Sequence, residues 1–187
     1  YFYMPVFESA AMIPPQTRRE ALTEVRAQLD TVSGSILNIR VGGNDLSHAF
    51  GLRRPANRTI YDLRPVADIL IDIVAAFGTQ YVVSGPVWEY YSGEGWEEGL
   101  RREMELDLLN GFTGKTVIHP NQIPVVNEML RVSQQDYADA RAILNWDTGS
   151  GSLVSASEDG GRMNEYNTHS RWARRIVLRA ERYGVRA

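Results

Sequence analysis

The 187-residue chain predicts an α/β protein with four parallel strands, and three observations carry that expectation. Short apolar runs alternate with segments of 3.6-residue apolar spacing four times over, the order of parallel β/α units with right-handed crossovers. The strand runs are largely apolar without clean alternation, as expected where both faces of a sheet are covered. The stretch 111–127, GFTGKTVIHPNQIPVVN, fits strand, sharp turn and helix into one short segment. Its loop falls where α/β folds keep their ligands. Four such strands can form half a barrel.

Taken in order, Tyr1 to Glu8 reads as the first strand and ends in Glu8-Ser9-Ala10. A helix follows from Gln16 to Asp30, with Ala21, Leu22, Val25 and Leu29 on one face and its entry set by Pro14-Pro15. Ser33-Gly34 turns the chain into a second strand, Ile36 to Val41, closed by Gly42-Gly43-Asn44-Asp45-Leu46. Ser47 to Leu52 reads as a short helical turn and Arg53 to Thr59 as a polar loop. Asp62 to Phe77 is a strong helix (Val66, Ile69, Leu70, Ile73, Val74, Phe77), with Pro65 in its first turn and Gly78 as its C-cap. Tyr81 to Val87 is the third strand, Trp88 to Gly95 an aromatic loop, and Trp96 to Asn110 an amphipathic helix rich in charge.

The β-branched run Thr116-Val117-Ile118 is the fourth strand, stopped by His119-Pro120. Asn121 to Leu130 is then helical, as is Ser133 to Trp146, where Ser133 is the N-cap and Asp136 sits at the capping-box position. A Gly/Ser-rich break over 148–161 leads to a basic helix from Thr168 to Tyr183. The expected division is a barrel-type segment over 1–147 and an arm with a helix over 148–187.

Hydrophobic residues make up 43% and charged residues 23%, values ordinary for a globular chain with a real core. The net charge of −3, with Lys and Arg dispersed except near the C-terminus, gives no nucleic-acid footprint. The absence of cysteine excludes disulfides and thiolate metal sites. Neither a membrane-length apolar run nor a secretory leader pattern is present, so the expectation is a cytoplasmic protein without a membrane partner. The opening YFYMPVF is already strand-like and has no initiator methionine. That reads as the C-terminal part of a longer protein, against the alternative of a complete small α/β domain.

Glu8 and Asp45 each directly follow an apolar strand, which puts two carboxylates at the C-terminal mouth of a parallel sheet about one β/α unit apart. Such a pair can hold a hard divalent cation by one oxygen each, leaving positions for water and substrate oxygens, as Mg²⁺ is usually bound. Solvated loop acids or helix caps are the plainer reading. Gly42 and Gly43 allow close backbone approach to a substrate and offer N–H groups to an anion, or serve a tight turn. Ser9 and Ala10 line the same mouth, and Asn44 points at a metal-bound water or closes an Asx-turn. His119 reads as a general base, a ligand contact or a hydrogen-bonded structural histidine. Asn121 and Gln122 read as caps and loop contacts, and Lys115 as a solvated turn charge.

GFTGKTVIHPNQIPVVNE (111–128) closely resembles the last barrel strand and following loop of the citrate lyase β-subunit-like enzymes, in the HpcH/HpaI aldolase superfamily of Mg²⁺-dependent C–C bond lyases. FESAAMI and GGNDLSHAFGLRR resemble that family's strand ending in Glu-Thr/Ser-Ala and its Gly-x-x-Asp-Leu segment. The resemblance implies the C-terminal half of a TIM (β/α)8 barrel with a C-terminal helical lid, and Mg²⁺ on Glu8 and Asp45. Ser9, Ala10, Gly42, Gly43 and Asn44, at the same mouth, are then the candidate substrate contacts. By the same resemblance, His119, Pro120 and Asn121 are expected in a loop near the nucleotide part of CoA.

Gly160-Gly161-Arg162-Met163-Asn164-Glu165 resembles the lid's glycine–basic–Met motif, which assigns Glu165 a catalytic role in a neighbouring subunit of a trimer or larger homo-oligomer. The family more often has aspartate there. The implied reaction is aldol- or Claisen-type cleavage of a malyl-, citramalyl- or citryl-CoA-like thioester. The alternatives are an aldolase acting on a free 4-hydroxy-2-oxo acid and a non-catalytic metabolite-binding or assembly subunit. Two departures bear on substrate class: Ser84-Gly85-Pro86-Val87 stands where relatives have an Ile-Asp-like pair, and the family's clamping arginine belongs to an earlier strand.

Overall fold

The computed structural model describes residues 1–146, 154–157 and 160–186, and the chain divides into two units, Tyr1–Met129 and Leu130–Ala187. The first unit holds four parallel strands in the order β1 (Val6–Phe7), β2 (Ile39–Val41), β3 (Val83–Gly85) and β4 (Gly114–Lys115). Register is set by Phe7 opposite Val41, Arg40 opposite Val6 and Ser84, and Gly85 opposite Lys115. Between them run α1 (Pro15–Thr31), α2 (Gly43–Ala49), α3 (Arg64–Phe77) and α4 (Trp96–Leu109), and α5 (Gln122–Met129) follows β4.

Because side chains alternate across a strand, this register sorts the sheet into two faces. Phe7, Ile39, Val41 and Val83 share the helix-side face and form one core with Val66, Ile69, Leu70, Ile73 and Phe77 of α3. The apolar stripe of α3 is wide enough to bury those five residues at once, and Pro65 costs nothing in its first turn. Each such side chain contributes roughly 1.5–3 kcal/mol by leaving water. Gly78 closes α3, where a Cβ would meet the Val74 carbonyl at 2.8 Å. Glu8, Asn38, Arg40, Gly42, Ser84, Gly114 and Thr116 fall on the opposite face by the same alternation.

The strands are shorter than the apolar runs suggested. Only Val6–Phe7 of 1–8 is ladder-paired, with one isolated bridge from Tyr3 to Ile36. The fourth strand lies at Gly114–Lys115, ahead of the β-branched run. Thr116 makes the last sheet contact, donating to the Gly85 carbonyl at 3.0 Å, after which the Ile118 N–H turns to the Gln122 side chain. Val117 and Ile118 are left exposed. The second helix also begins earlier than expected, at Gly43, so Asp45 stands in its first turn rather than in a loop. Leu46 N–H donates to the Gly42 carbonyl at 3.0 Å and Ser47 Oγ to that of Gly43 at 2.7 Å, which closes that turn.

In the second unit, α6 (Gln134–Leu144) and α7 (Tyr166–Tyr183) pack through Ala140, Ile143, Ala173, Ile176 and Ala180. Ser133 caps α6 by accepting from the Asp136 N–H at 3.1 Å. Two pairings had no signature in the sequence: β5 (Val132–Ser133) runs parallel to β8 (Val185–Arg186), and β6 (Val154–Ala156) runs antiparallel to β7 (Met163–Glu165). Most of the Gly/Ser-rich break at 148–161 lies outside the described residues. No described helix is long and apolar enough to cross a membrane.

Candidate active site

The C-terminal ends of β1 and β2 meet at Glu8 and Gly42. Gly42 N–H donates to the Phe7 carbonyl at 3.1 Å, the next rung after the Phe7–Val41 pair. The Glu8 side chain lies directly over Gly42, and a Cβ built on Gly42 would meet Glu8 Oε2 at 2.4 Å. Gly42 therefore makes the space into which the carboxylate folds. Glu8 and Asp45 are both exposed, and among the described residues neither has a cationic side chain within 4.0 Å. Two carboxylates left without a counter-charge, one on a strand end and one in the first turn of the following helix, suit a hard divalent cation. No described cluster of three or more metal-ligating side chains exists, so water or substrate would complete the shell.

Ser9 and Ala10 are exposed beside Glu8, where the Ser9 carbonyl accepts from Met12 N–H and opens a single helical turn. Gly43 is buried against Ile60 and Pro86, each 2.6 Å from a Cβ placed there, so its task is close packing. Asn44 Oδ1 accepts from Arg54 Nη1 at 3.5 Å.

His119, Pro120 and Asn121 lie beyond β4. The His119 ring stacks on Tyr91 with centroids 4.2 Å apart, and its Nδ1 accepts from Asn121 N–H at 3.2 Å. Asn121 Nδ2 donates to the Tyr91 carbonyl at 3.1 Å. Beneath them the buried Gln122 donates to the carbonyls of Trp88 (2.8 Å) and Tyr90 (2.9 Å) and accepts from Ile118 N–H at 3.0 Å. The loops after β3 and β4 are thus held together by the carboxamides of Gln122 and Asn121.

Glu165 belongs to the second unit, at the N-cap of α7, and its N–H donates to His169 Nδ1 at 3.0 Å. The preceding residues fix the hairpin: Arg162 pairs with Asp136 (2.8 Å) and Asp139 (2.6 Å), and Asn164 Nδ2 donates to Asp139 Oδ1 at 3.0 Å.

Lys115 is not a solvated turn charge. Its side chain is fully buried between Glu103 (2.8 Å) and Asp107 (2.7 Å) of α4. Burial works against its charge, but Asp107 and Glu103 outweigh burial and hold the ammonium above its usual range. Burial also pushes the Asp107 carboxyl up, partly offset by Lys115. Tyr61 Oη donates to Asp107 Oδ1 at 2.7 Å. Glu103 further accepts from Ile60 N–H at 2.8 Å and pairs with Arg54 Nε at 3.0 Å. Arg54 came from a stretch read as a polar loop, yet its side chain is completely buried, donates to the Val87 carbonyl and lies 5.2 Å over the Trp88 ring. This cluster joins the segment after α2 and the loop after β3 to α4 and the end of β4. Only the charge density of α4 hinted at it, since a burial pattern read from apolar spacing scores charged residues as surface.

A model of the C–C bond lyase family of the TIM-barrel fold matches residues 1–185. An L-malyl-CoA/β-methylmalyl-CoA lyase of Cereibacter sphaeroides is 38% identical over 74 residues, 38% of this chain and 22% of that protein. Among solved structures, the protein CitE from Mycobacterium tuberculosis, in complex with magnesium, acetoacetate and coenzyme A, aligns with TM-score 0.65 and 23% identity over 96% of this chain and 61% of its own. A citrate lyase from Burkholderia xenovorans LB400 aligns with TM-score 0.64 and 17% identity over 97% of this chain and 53% of its own. The chain therefore spans less than two thirds of the length of each of these relatives.

Proposed function

The chain belongs to the C–C bond lyase family of the TIM-barrel fold, and from that premise we propose that its protein cleaves a hydroxyacyl-CoA by aldol or Claisen chemistry at the mouth formed by β1 and β2. A malyl-, citramalyl- or citryl-type thioester is the substrate class, supported by the malyl-CoA lyase relative and the coenzyme A in the CitE complex. The observation that carries the reading is Glu8 folded over Gly42, a carboxylate given space at a strand end and left without a cationic partner among the described residues.

In this proposal Glu8 and Asp45 hold Mg²⁺, the ion present in the CitE complex. When bound, the ion supplies a Lewis acid where negative charge develops during C–C cleavage. Ser9 and Ala10 leave room beside the carboxylate, and Gly42 lets substrate approach the backbone. Asn44, held by Arg54, presents its free N–H₂ toward solvent-borne or substrate oxygens. His119, Pro120 and Asn121 receive the nucleotide portion of CoA, on a loop kept rigid by Gln122 and Tyr91. Glu165 and the hairpin before α7 act on a neighbouring subunit of a cytoplasmic homo-oligomer, where Glu165 moves a proton or closes the site.

A calorimetric titration of Mg²⁺ in the presence of oxaloacetate tests this, followed by a panel of acyl-CoA thioesters. Binding that disappears in both Glu8→Gln and Asp45→Asn supports the site. Turnover of free 4-hydroxy-2-oxo acids without CoA would replace the thioester reading with that of an aldolase. The unusual Ser84-Gly85-Pro86 favours a third reading, a non-catalytic metabolite-binding subunit, and metal binding without turnover of either class would select it.

A further inference from the structure

We infer that Arg40 is a substrate-binding residue that recognises a second carboxylate on the acyl portion of the ligand. The inference rests on the reading of the mouth given above. Arg40 is the middle residue of β2, opposite Val6 and Ser84, so its side chain leaves the sheet on the same face as Glu8 and Gly42. Its guanidinium does not stay over β2. Nε reaches to 3.5 Å from Thr116 Oγ1, just past the end of β4 and two strand spacings away, a span of about 10 Å. The side chain therefore lies across β3, over Ser84 and beside Gly114, where a Cβ would come within 3.0 Å of Ser84 Oγ. Small residues leave this path open, and it ends at the height of the mouth.

Arg40 is half-buried, and among the described residues no carboxylate lies within 4.0 Å of it. Its one hydrogen-bonding side-chain partner is a neutral hydroxyl at the long limit. On the same face, Asn38 donates to Ser84 Oγ at 2.8 Å while its buried Oδ1 receives no donor. This face offers a planar five-donor cation and a free acceptor, whereas on the helix-side face Lys115 is matched by Glu103 and Asp107. A guanidinium fork takes a carboxylate in two parallel hydrogen bonds. The metal pair would hold one end of a 2-oxo acid, and Arg40 its other end. The preferred acyl fragment is accordingly a four-carbon 2-oxo dicarboxylate such as oxaloacetate, rather than a monoacid such as pyruvate.

The test is calorimetry of oxaloacetate and pyruvate against the 187-residue chain at saturating Mg²⁺, with Arg40→Gln, Arg40→Lys and Glu8→Gln in parallel. The parent should bind oxaloacetate about tenfold or more tightly than pyruvate, in line with a charge-assisted hydrogen bond. In Arg40→Gln that ratio should collapse to within about threefold, with Arg40→Lys between the two. A merely structural arginine would weaken both ligands alike and leave the ratio unchanged, which overturns the assignment. No dicarboxylate preference in the parent, or no binding of either ligand, overturns it as well. Arg40→Lys keeps the test open if the glutamine variant fails to fold. If Glu8→Gln changes neither affinity while Arg40→Gln still collapses the ratio, the metal reading fails and the Arg40 assignment stands.

Discussion

The two faces of the four-stranded sheet treat charge in opposite ways. On the helix side, Lys115 is enclosed with Glu103 and Asp107, and Arg54 with Glu103, at distances of 2.7–3.0 Å. On the other face Glu8 and Arg40 stand on neighbouring strands without an oppositely charged partner among the described residues, and Asp45 is the third residue of α2. A buried charge must be matched or it unfolds the protein, so the first set reports on architecture. An unmatched charge at the open end of a sheet is tolerated only because water covers it, and it is free to take a ligand instead. In this chain the matched charges hold the loops and the unmatched ones face what the loops surround.

Lys115→Ala should break the comparison most severely. It leaves the buried Asp107 without its cation and Glu103 with Arg54 alone, which costs about 3–5 kcal/mol by chemical denaturation. The pH dependence has a definite sign. Burial already pushes the Asp107 carboxyl up and Lys115 offsets it only in part, so without Lys115 stability is lost as pH rises and the deficit should shrink between pH 7 and pH 5. In the parent, Lys115 is itself raised, so its contribution is complete below the unfolded lysine pKa of about 10.4 and is lost as pH climbs past its folded value.

Gln122→Ala comes next, at about 1–3 kcal/mol, because it strips hydrogen bonds from the Trp88 and Tyr90 carbonyls and the Ile118 N–H at once. Glu8→Gln sharpens the contrast from the other face. Its melting temperature without metal should stay within about 2 °C of the parent, while Mg²⁺ affinity falls about tenfold or more. Retained Mg²⁺ affinity in that variant would remove the distinction between the faces. Smallest of all, Arg64→Ala removes an exposed i,i+4 pair with Asp68 and should shift stability by less than about 0.5 kcal/mol.

What the sequence revealed follows the same division. The helices α1, α3 and α4 and the Ser133 cap were legible because apolar spacing and capping residues are local signals. The family's motif segments gave the parallel four-stranded sheet its identity before any geometry was known. The fourth strand was misplaced because Thr116-Val117-Ile118 has the stronger β-propensity, whereas tertiary contacts at Gly114 and Lys115 select the paired segment. Strands of two or three residues, as in β5 to β8, carry too little period-2 pattern to read. Arg54, Lys115 and Arg40 were passed over for one reason: a cation's partner lies far along the chain, and composition does not record who it is.

Gln122 has a mechanical consequence. The two loops it ties carry Trp88, Tyr90 and Tyr91 on one side and His119 and Asn121 on the other. Three hydrogen bonds through one buried amide, with the Tyr91–His119 stack above, make those loops a single stiff body rather than two independent flaps. A push on either is carried to the other without delay. If this loop receives the nucleotide portion of the substrate as proposed, a guest settling against one wall finds the opposite wall already in place, and fit rather than a moving cover sets its residence.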